Sequence, residues 1–197
     1  MMAWTFKNRE RGQIRRWVGA SGSLSAHLAG TGGGFGVQVL KQGRQQLGLD
    51  EARALGLPGR RAGYMREVVL RMDGVAVVFA RSVTLHAHSL GPWRSIRGLG
   101  SRPLADVLFR RSGISRSPLA FARIKPSSRL SRAVTNAWQQ ATGQPAAVRA
   151  LPARRSVFTR CSAPLLVMEI FAAHPEPWCW PCSTSSAKPI FLPKKKP

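Results

Sequence analysis

Acidic side chains are what this sequence lacks most. Its 197 residues hold 8 Asp plus Glu against 31 Lys plus Arg, a formal charge of +23. With so few carboxylates, any one that falls in an apolar setting is informative. The excess of positive charge allows nucleic acid, a membrane surface or an anionic small molecule as partner. The arginines, however, are scattered over the whole chain, which describes a generally basic solvent face. No recognition motif and no cluster of aromatics on a basic face accompanies them, so nucleic-acid binding is not expected. Cysteine is scarce and odd in number, 3 in all, which is no disulfide framework. No run approaches the roughly 18 uncharged apolar residues of a membrane span. No apolar run follows the basic start, so a secretory signal is not expected and the cytoplasm is the expected location. What remains is ample: 44% of the residues are hydrophobic, enough to build the core of one domain with appendages.

Three motifs lead nowhere. The cluster Gly30-Thr31-Gly32-Gly33-Gly34 has no strand before it and lacks the G-x-G-x-x-G spacing of a phosphate loop. It reads as a tight loop. His86-Ala87-His88 supplies two imidazoles and no third ligand nearby, so loop histidines are expected rather than a metal site. Cys179 and Cys182 have the spacing of a redox pair, but they sit in a Pro/Ser-rich tail and not between a strand and a helix. No metal or redox cofactor is expected, and Lys194 to Lys196 read as a solvated end.

The strongest local signal is Tyr64 to Leu85. Two β-rich runs flank Asp73-Gly74, the dipeptide suited to a type I′ turn because both positions need a positive φ. Upstream, Ile14, Trp17 and Val18 predict a short helix, with Asn8 as N-cap and Gly19 as stop. A Ser/Gly bend at 20–23 leads to Leu24. A strand is expected from Phe35 to Leu40, ending at Gly43, followed by a polar, Gly-rich stretch over 44–63. Ser101 as N-cap with Pro103 in the first turn predicts a helix stopped by Gly113, which leaves the Leu104 amide free for an anion. Leu119 to Ile124 reads as extended, and Leu130, Val134, Ala137, Trp138 and Ala141 predict a helix over 129–142. A linker over 144–152 precedes a strand Arg155–Arg160, a turn Cys161–Pro164, and a central strand Leu165–Phe171 that is apolar on both faces.

Two ionisable residues interrupt apolar strand faces. Arg66 shares its side with Val68, Leu70 and Met72, and Glu169 shares its side with Leu165, Val167 and Phe171. Groups in such positions need partners. Either they form buried salt bridges, with each other or with other core groups, or they stand at opposite ends of an apolar pocket. Such a pocket suits a small flat molecule bearing a carboxylate and a hydroxyl.

At these residues the chain resembles the chorismate pyruvate-lyase family, whose members convert chorismate to 4-hydroxybenzoate and pyruvate. The resemblance rests on Tyr64-Met65-Arg66-Glu67, on Asp73-Gly74 with Phe79 to Val83, on Arg102 to Phe109, and on Ala153-Arg154-Arg155-Ser156 through Pro164 to Phe171. It implies an α+β fold, an antiparallel sheet of about six strands with flanking helices and a buried ligand cavity. It spans residues 1–175, with 125–148 as an insertion and 176–197 as an extension. By that resemblance Arg66 and the backbone N–H groups of Leu24 and Leu104 hold the ring carboxylate, Glu169 meets the hydroxyl end, and catalysis falls to Glu169 and Arg66. Arg81 or Arg155 would neutralise the enolpyruvyl carboxylate. No cofactor is implied, and a monomer acting on chorismate as a first step towards ubiquinone is expected. The same fold also serves as an effector-binding domain of transcription regulators, but the 63 residues before the hairpin do not read as the winged helix such proteins carry.

Overall fold

A computed structural model describes residues 3–109, 112–126, 128, 129–143 and 150–171. The tail with Cys179, Cys182 and Lys194 to Lys196 therefore lies outside the described residues.

The fold is an antiparallel sheet with helices on both faces. In chain order come α1 (Gly12–Gly19), α2 (Leu24–Ala29), β1 (Phe35–Gln46), α3 (Leu49–Ala54), β2 (Ala62–Met72) and β3 (Val75–Leu85). Then follow α4 (Ala105–Leu108), β4 (Ile114–Arg116), β5 (Ala120–Ile124), α5 (Arg129–Thr142), β6 (Leu151–Arg160) and β7 (Ala163–Phe171). The sheet order is β1-β2-β3-β7-β6-β4, and β5 also pairs with β6. The expected α+β class and antiparallel sheet are what the chain forms.

The β2–β3 hairpin turns at Asp73 (φ 48°) and Gly74 (φ 77°), as a type I′ turn requires. Asp73 also explains the glycine cluster. Its Oδ1 accepts from the Gly34 amide at 2.6 Å, and a Cβ on Gly33 would come within 2.6 Å of its Oδ2. The glycines let one loop pass close to the hairpin's tip. Strand β7 lies in the sheet interior between β3 and β6, which is why it is apolar on both sides. Helix α5 presses Val134, Ala137 and Trp138 onto Val69, Phe79, Met168 and Ile170. It ends at Gly143 in the left-handed region (φ 71°). On the other face α1 and α2 bury Trp17, Val18, Leu24 and Leu28 against Val68, Leu70 and Val78.

Several boundaries differ from expectation. Asn8 is not the cap of α1; Arg11 is, and Asn8 instead uses Nδ2 to bond the Arg15 carbonyl at 2.9 Å. The bend before Leu24 runs directly into α2, where Ser23 Oγ caps by accepting from the Ala26 amide at 3.1 Å. Strand β1 continues past Gly43, through a bulge between Val39 and Lys41, and the polar stretch after it holds α3. Helix α4 begins four residues after Ser101 and has no side-chain cap, because Ser101 is spent in a preceding turn. The last turn is only Cys161-Ser162, both with positive φ, so Ala163 and Pro164 already belong to β7.

Candidate active site

Strand alternation sorts the arginines and carboxylates between the two faces of the sheet. Across β2, β3 and β7, Arg66 pairs with Ser82, which pairs with Val167, while Val68 pairs with Ala80, which pairs with Glu169. On β6, Arg154 stands directly opposite Glu169 and Ser156 opposite Val167. These residues share one face, and α2 and the Pro103–Phe109 segment cover it. The cavity between them brings together Leu24, Arg66, Leu104, Arg116, Phe158 and Glu169.

Arg66 is 2% exposed. Its Nη2 donates to the carbonyls of Gly100 (2.9 Å) and Arg102 (3.2 Å), which fastens the segment leading into α4. Its Nε is buried with no partner. A buried donor left unpaired costs roughly 1–3 kcal/mol, so Arg66, which lines the cavity, keeps one donor for a ligand anion to satisfy. Burial holds the Arg66 guanidinium below the ordinary arginine range, opposed in part by Tyr64. No carboxylate among the described residues pairs with Arg66, so Arg66 and Glu169 do not form a salt bridge with each other. The amides of Leu24, first residue of α2, and Leu104, just before α4, make no backbone hydrogen bond among the described residues. Both residues line the cavity.

Glu169 takes the other end. Its Oε2 accepts from Arg154 Nε at 2.5 Å. Arg154 is 1% exposed, and its Nη1 donates to the carbonyls of Trp17 (3.3 Å), Val18 (3.4 Å) and Ala20 (2.7 Å). Each Arg154 nitrogen with a named bond is thus spent on protein, and the Glu169 carboxylate is held in one orientation. Nothing in the alternation pattern of β7 alone reveals this partner. The two-residue turn does, because it sets the register that puts Arg154 across from Glu169.

Arg81 and Arg155, expected at the enolpyruvyl carboxylate, have their guanidiniums engaged elsewhere. Arg81 borders the cavity from β3, but its guanidinium lies on the opposite face, bonded to Glu51 (2.6 Å) and Glu67 (2.5 Å). Burial would lower its pKa, and these two carboxylates outweigh that and raise it. Arg155 Nη1 donates to Asp50 Oδ2 at 2.7 Å, and its guanidinium stacks 4.1 Å from the Trp4 ring. Odd-numbered positions on β3 and β6 face α3 and α5, away from the cavity. Arg116 stands on the cavity side instead, placed by the short strand β4, which the sequence reading missed. His86 and His88 lie in the loop after β3, and no group of three potential metal ligands occurs among the described residues. No helix among them is long and apolar enough to cross a membrane.

A pocket with an unpaired buried cation at one end and an oriented carboxylate at the other is suited to a small hydroxylated ring acid. Comparison with known proteins points the same way. Residues 9–179 match the family model described as chorismate lyase. The chain is 60% identical, over the full length of both, to a probable chorismate pyruvate-lyase of Albidiferax ferrireducens. It is 42% identical over 160 residues, 81% of this chain and 83% of the relative, to one of an Azoarcus species. Among solved structures, the effector domain of PhnF from Mycobacterium smegmatis superposes with a TM-score of 0.53 at 17% identity, covering 77% of this chain and 89% of that one. The C-terminal domain of a histidine utilization repressor from Pseudomonas syringae gives 0.52 at 9% identity, covering 79% and 100%. These two share the fold alone. From the family match over residues 9–179 and the relative that is 60% identical over the full length, the chain belongs to the chorismate lyase family.

Proposed function

We propose that the protein eliminates pyruvate from chorismate to give 4-hydroxybenzoate. The observation that carries this reading is the pairing of Arg66, buried with a free Nε, with Glu169 across one cavity. Arg66 and the Leu24 and Leu104 amides hold the ring carboxylate. Glu169 hydrogen-bonds the ring hydroxyl and assists proton movement. The bond between the ring and the enolpyruvyl oxygen breaks, its electron pair leaves with that oxygen, and the ring carbon bearing the hydroxyl loses its proton. The ring becomes aromatic, and enolpyruvate takes up a proton to become pyruvate. Aromatisation makes the reaction run downhill, and beside Glu169 the catalysis comes from holding the substrate in a reactive conformer and stabilising the departing oxygen. In this reading the product feeds ubiquinone synthesis and the enzyme works in the cytoplasm, where a charged, water-soluble substrate is at hand. One chain supplies every group of the site, so a monomer suffices.

The test is to incubate purified protein with chorismate and follow 4-hydroxybenzoate and pyruvate together. The expected outcome is equimolar formation well above the spontaneous rate; no product above that background overturns the reading. The shared fold of regulator effector domains raises a binding-only reading. Tight 4-hydroxybenzoate binding without turnover would establish it.

A further inference from the structure

The charges around the cavity do not balance for a ligand with one carboxylate. Three guanidiniums, those of Arg66, Arg116 and Arg154, face or underlie the chamber, and Glu169 is the carboxylate that answers them. Arg154 is neutralised by Glu169. Arg66 awaits one anion. That leaves Arg116.

Arg116 comes from β4, the short strand paired with the far end of β6. Its Nε donates to Ser156 Oγ at 2.9 Å, and its Nη1 donates to the Gly22 carbonyl at 2.9 Å. These two bonds fix the plane of the guanidinium. Phe158 (5.1 Å) and Phe109 (5.8 Å) bracket it, which further limits its motion. No hydrogen bond among the described residues uses its Nη2, and no carboxylate pairs with it. Burial lowers its pKa, and the nearby Arg154 lowers it further against the opposing pull of Glu169. An oriented arginine with a spare terminal nitrogen and no counter-ion, on a cavity wall, is built to receive an anion.

We propose that Arg116 binds the second carboxylate of the substrate, the one on the enolpyruvyl arm that departs. This rests on the lyase reading and deepens it. Chorismate carries two carboxylates, and the ring product carries one. Arg66 holds the carboxylate that stays with the ring; Arg116 holds the carboxylate that leaves. Substrate and ring product therefore differ in the cavity by one ion pair, made at Arg116. The same contact keeps positive charge beside the leaving group as its oxygen takes up the electron pair of the breaking bond. Arg116 is thus the residue by which the site prefers its dianionic substrate to the monoanion it makes.

The experiment compares two ligands on two proteins. The ligands are 3-(carboxymethoxy)-4-hydroxybenzoate, with a second carboxylate on a short ether arm, and its neutral amide. The proteins are the wild type and Arg116→Gln, with 4-hydroxybenzoate as the reference ligand and calorimetry as the readout. Wild type is expected to bind the acid roughly tenfold to a hundredfold more tightly than the amide, as a charge-assisted contact gives. Arg116→Gln is expected to lose that preference, to lose kcat/KM for chorismate by a similar factor, and to hold 4-hydroxybenzoate within about threefold of wild type. Arg116→Lys should recover part of the preference. Parallel loss of 4-hydroxybenzoate and acid affinity in Arg116→Gln would make the residue merely structural and overturn the proposal. Should that variant not fold, the wild-type comparison decides alone: equal affinity for acid and amide overturns it. Absence of chorismate turnover by wild type would count against the lyase reading, whereas the acid–amide preference reports on Arg116 whatever the turnover.

Discussion

Glu169 and its partner show what one residue's surroundings decide. A glutamate on an apolar strand face is legible in sequence; that Arg154, and not its neighbour Arg155, answers it is not. The two arginines point to opposite faces, and only the register of β6 against β7 says which one meets Glu169. Glu169→Gln keeps the shape of the side chain and leaves Arg154 its three carbonyl acceptors. Turnover of chorismate should fall by roughly 10²–10⁴-fold, as loss of a proton-transfer group does. Stability should fall by roughly 1.5–3 kcal/mol, less than the roughly 3–5 of removing a buried ion-pair partner outright, because Gln keeps an acceptor for Arg154. Steady-state kinetics beside a denaturant titration checks both, and a variant that unfolds as fast as it loses activity would mark the carboxylate as structural. Arg66→Met addresses the other end. The variant removes a desolvated cation but strands the Gly100 and Arg102 carbonyls, so its effect on stability should be small. Affinity for 4-hydroxybenzoate, read by calorimetry, should fall roughly tenfold or more.

Elements with a strong local signal are the ones the sequence makes plain. The Asp73-Gly74 hairpin and α5 each carry their own instructions: a turn dipeptide between alternating runs, and apolar spacing closed by a left-handed glycine. The short pieces are different. Helices α2, α3 and α4 have 6, 6 and 4 residues, too few for periodicity to show, and packing rather than propensity forms them. Strand β4 has 3 residues, and missing it hid Arg116. Reading the last turn as Cys161–Pro164 instead of Cys161-Ser162 slides β6 by two positions, which preserves the faces but sets Ser156 across from Glu169. Close approach between elements also predicts a mutation that alternation cannot. A Cβ on Gly63 would stand 2.3 Å from Leu47 Cδ2 and 3.0 Å from the Thr84 carbonyl. Gly63→Ala should therefore destabilise the fold by about 1–3 kcal/mol, the usual cost of overpacking, measurable as a lower urea midpoint with an unchanged slope.

At the scale of the whole molecule, charge is the dominant fact. Among the described residues, Glu10, Asp50, Glu51, Glu67 and Glu169 form ion pairs, against 31 Lys plus Arg in the chain. The remaining positive charge repels itself across the surface. Raising sodium chloride from about 10 mM to about 200 mM shortens the Debye length from about 30 Å to under 10 Å. The melting temperature should rise, because the repulsion is exposed and several of the pairs are part-buried. Scanning fluorimetry over a salt series checks this, and a fall would mean that the ion pairs outweigh the repulsion. The excess positive charge was visible at once in the composition; its division between a neutralised face around Arg81 and a cationic chamber around Arg66 and Arg116 needed the sheet.

The seam between β3 and β7 has a consequence for how the protein is made. It joins the first hairpin to the last, pairing Ala80 with Glu169 across nearly half of the chain. A nascent chain that has emerged only as far as β6 holds Arg66 and Arg116 but not the glutamate, so its binding chamber has no second end. Pairing over so long a separation is the slow, entropically costly part of folding. The ability to bind is therefore acquired last, and ring acid added to refolding protein would recognise only those molecules whose final strand has already docked.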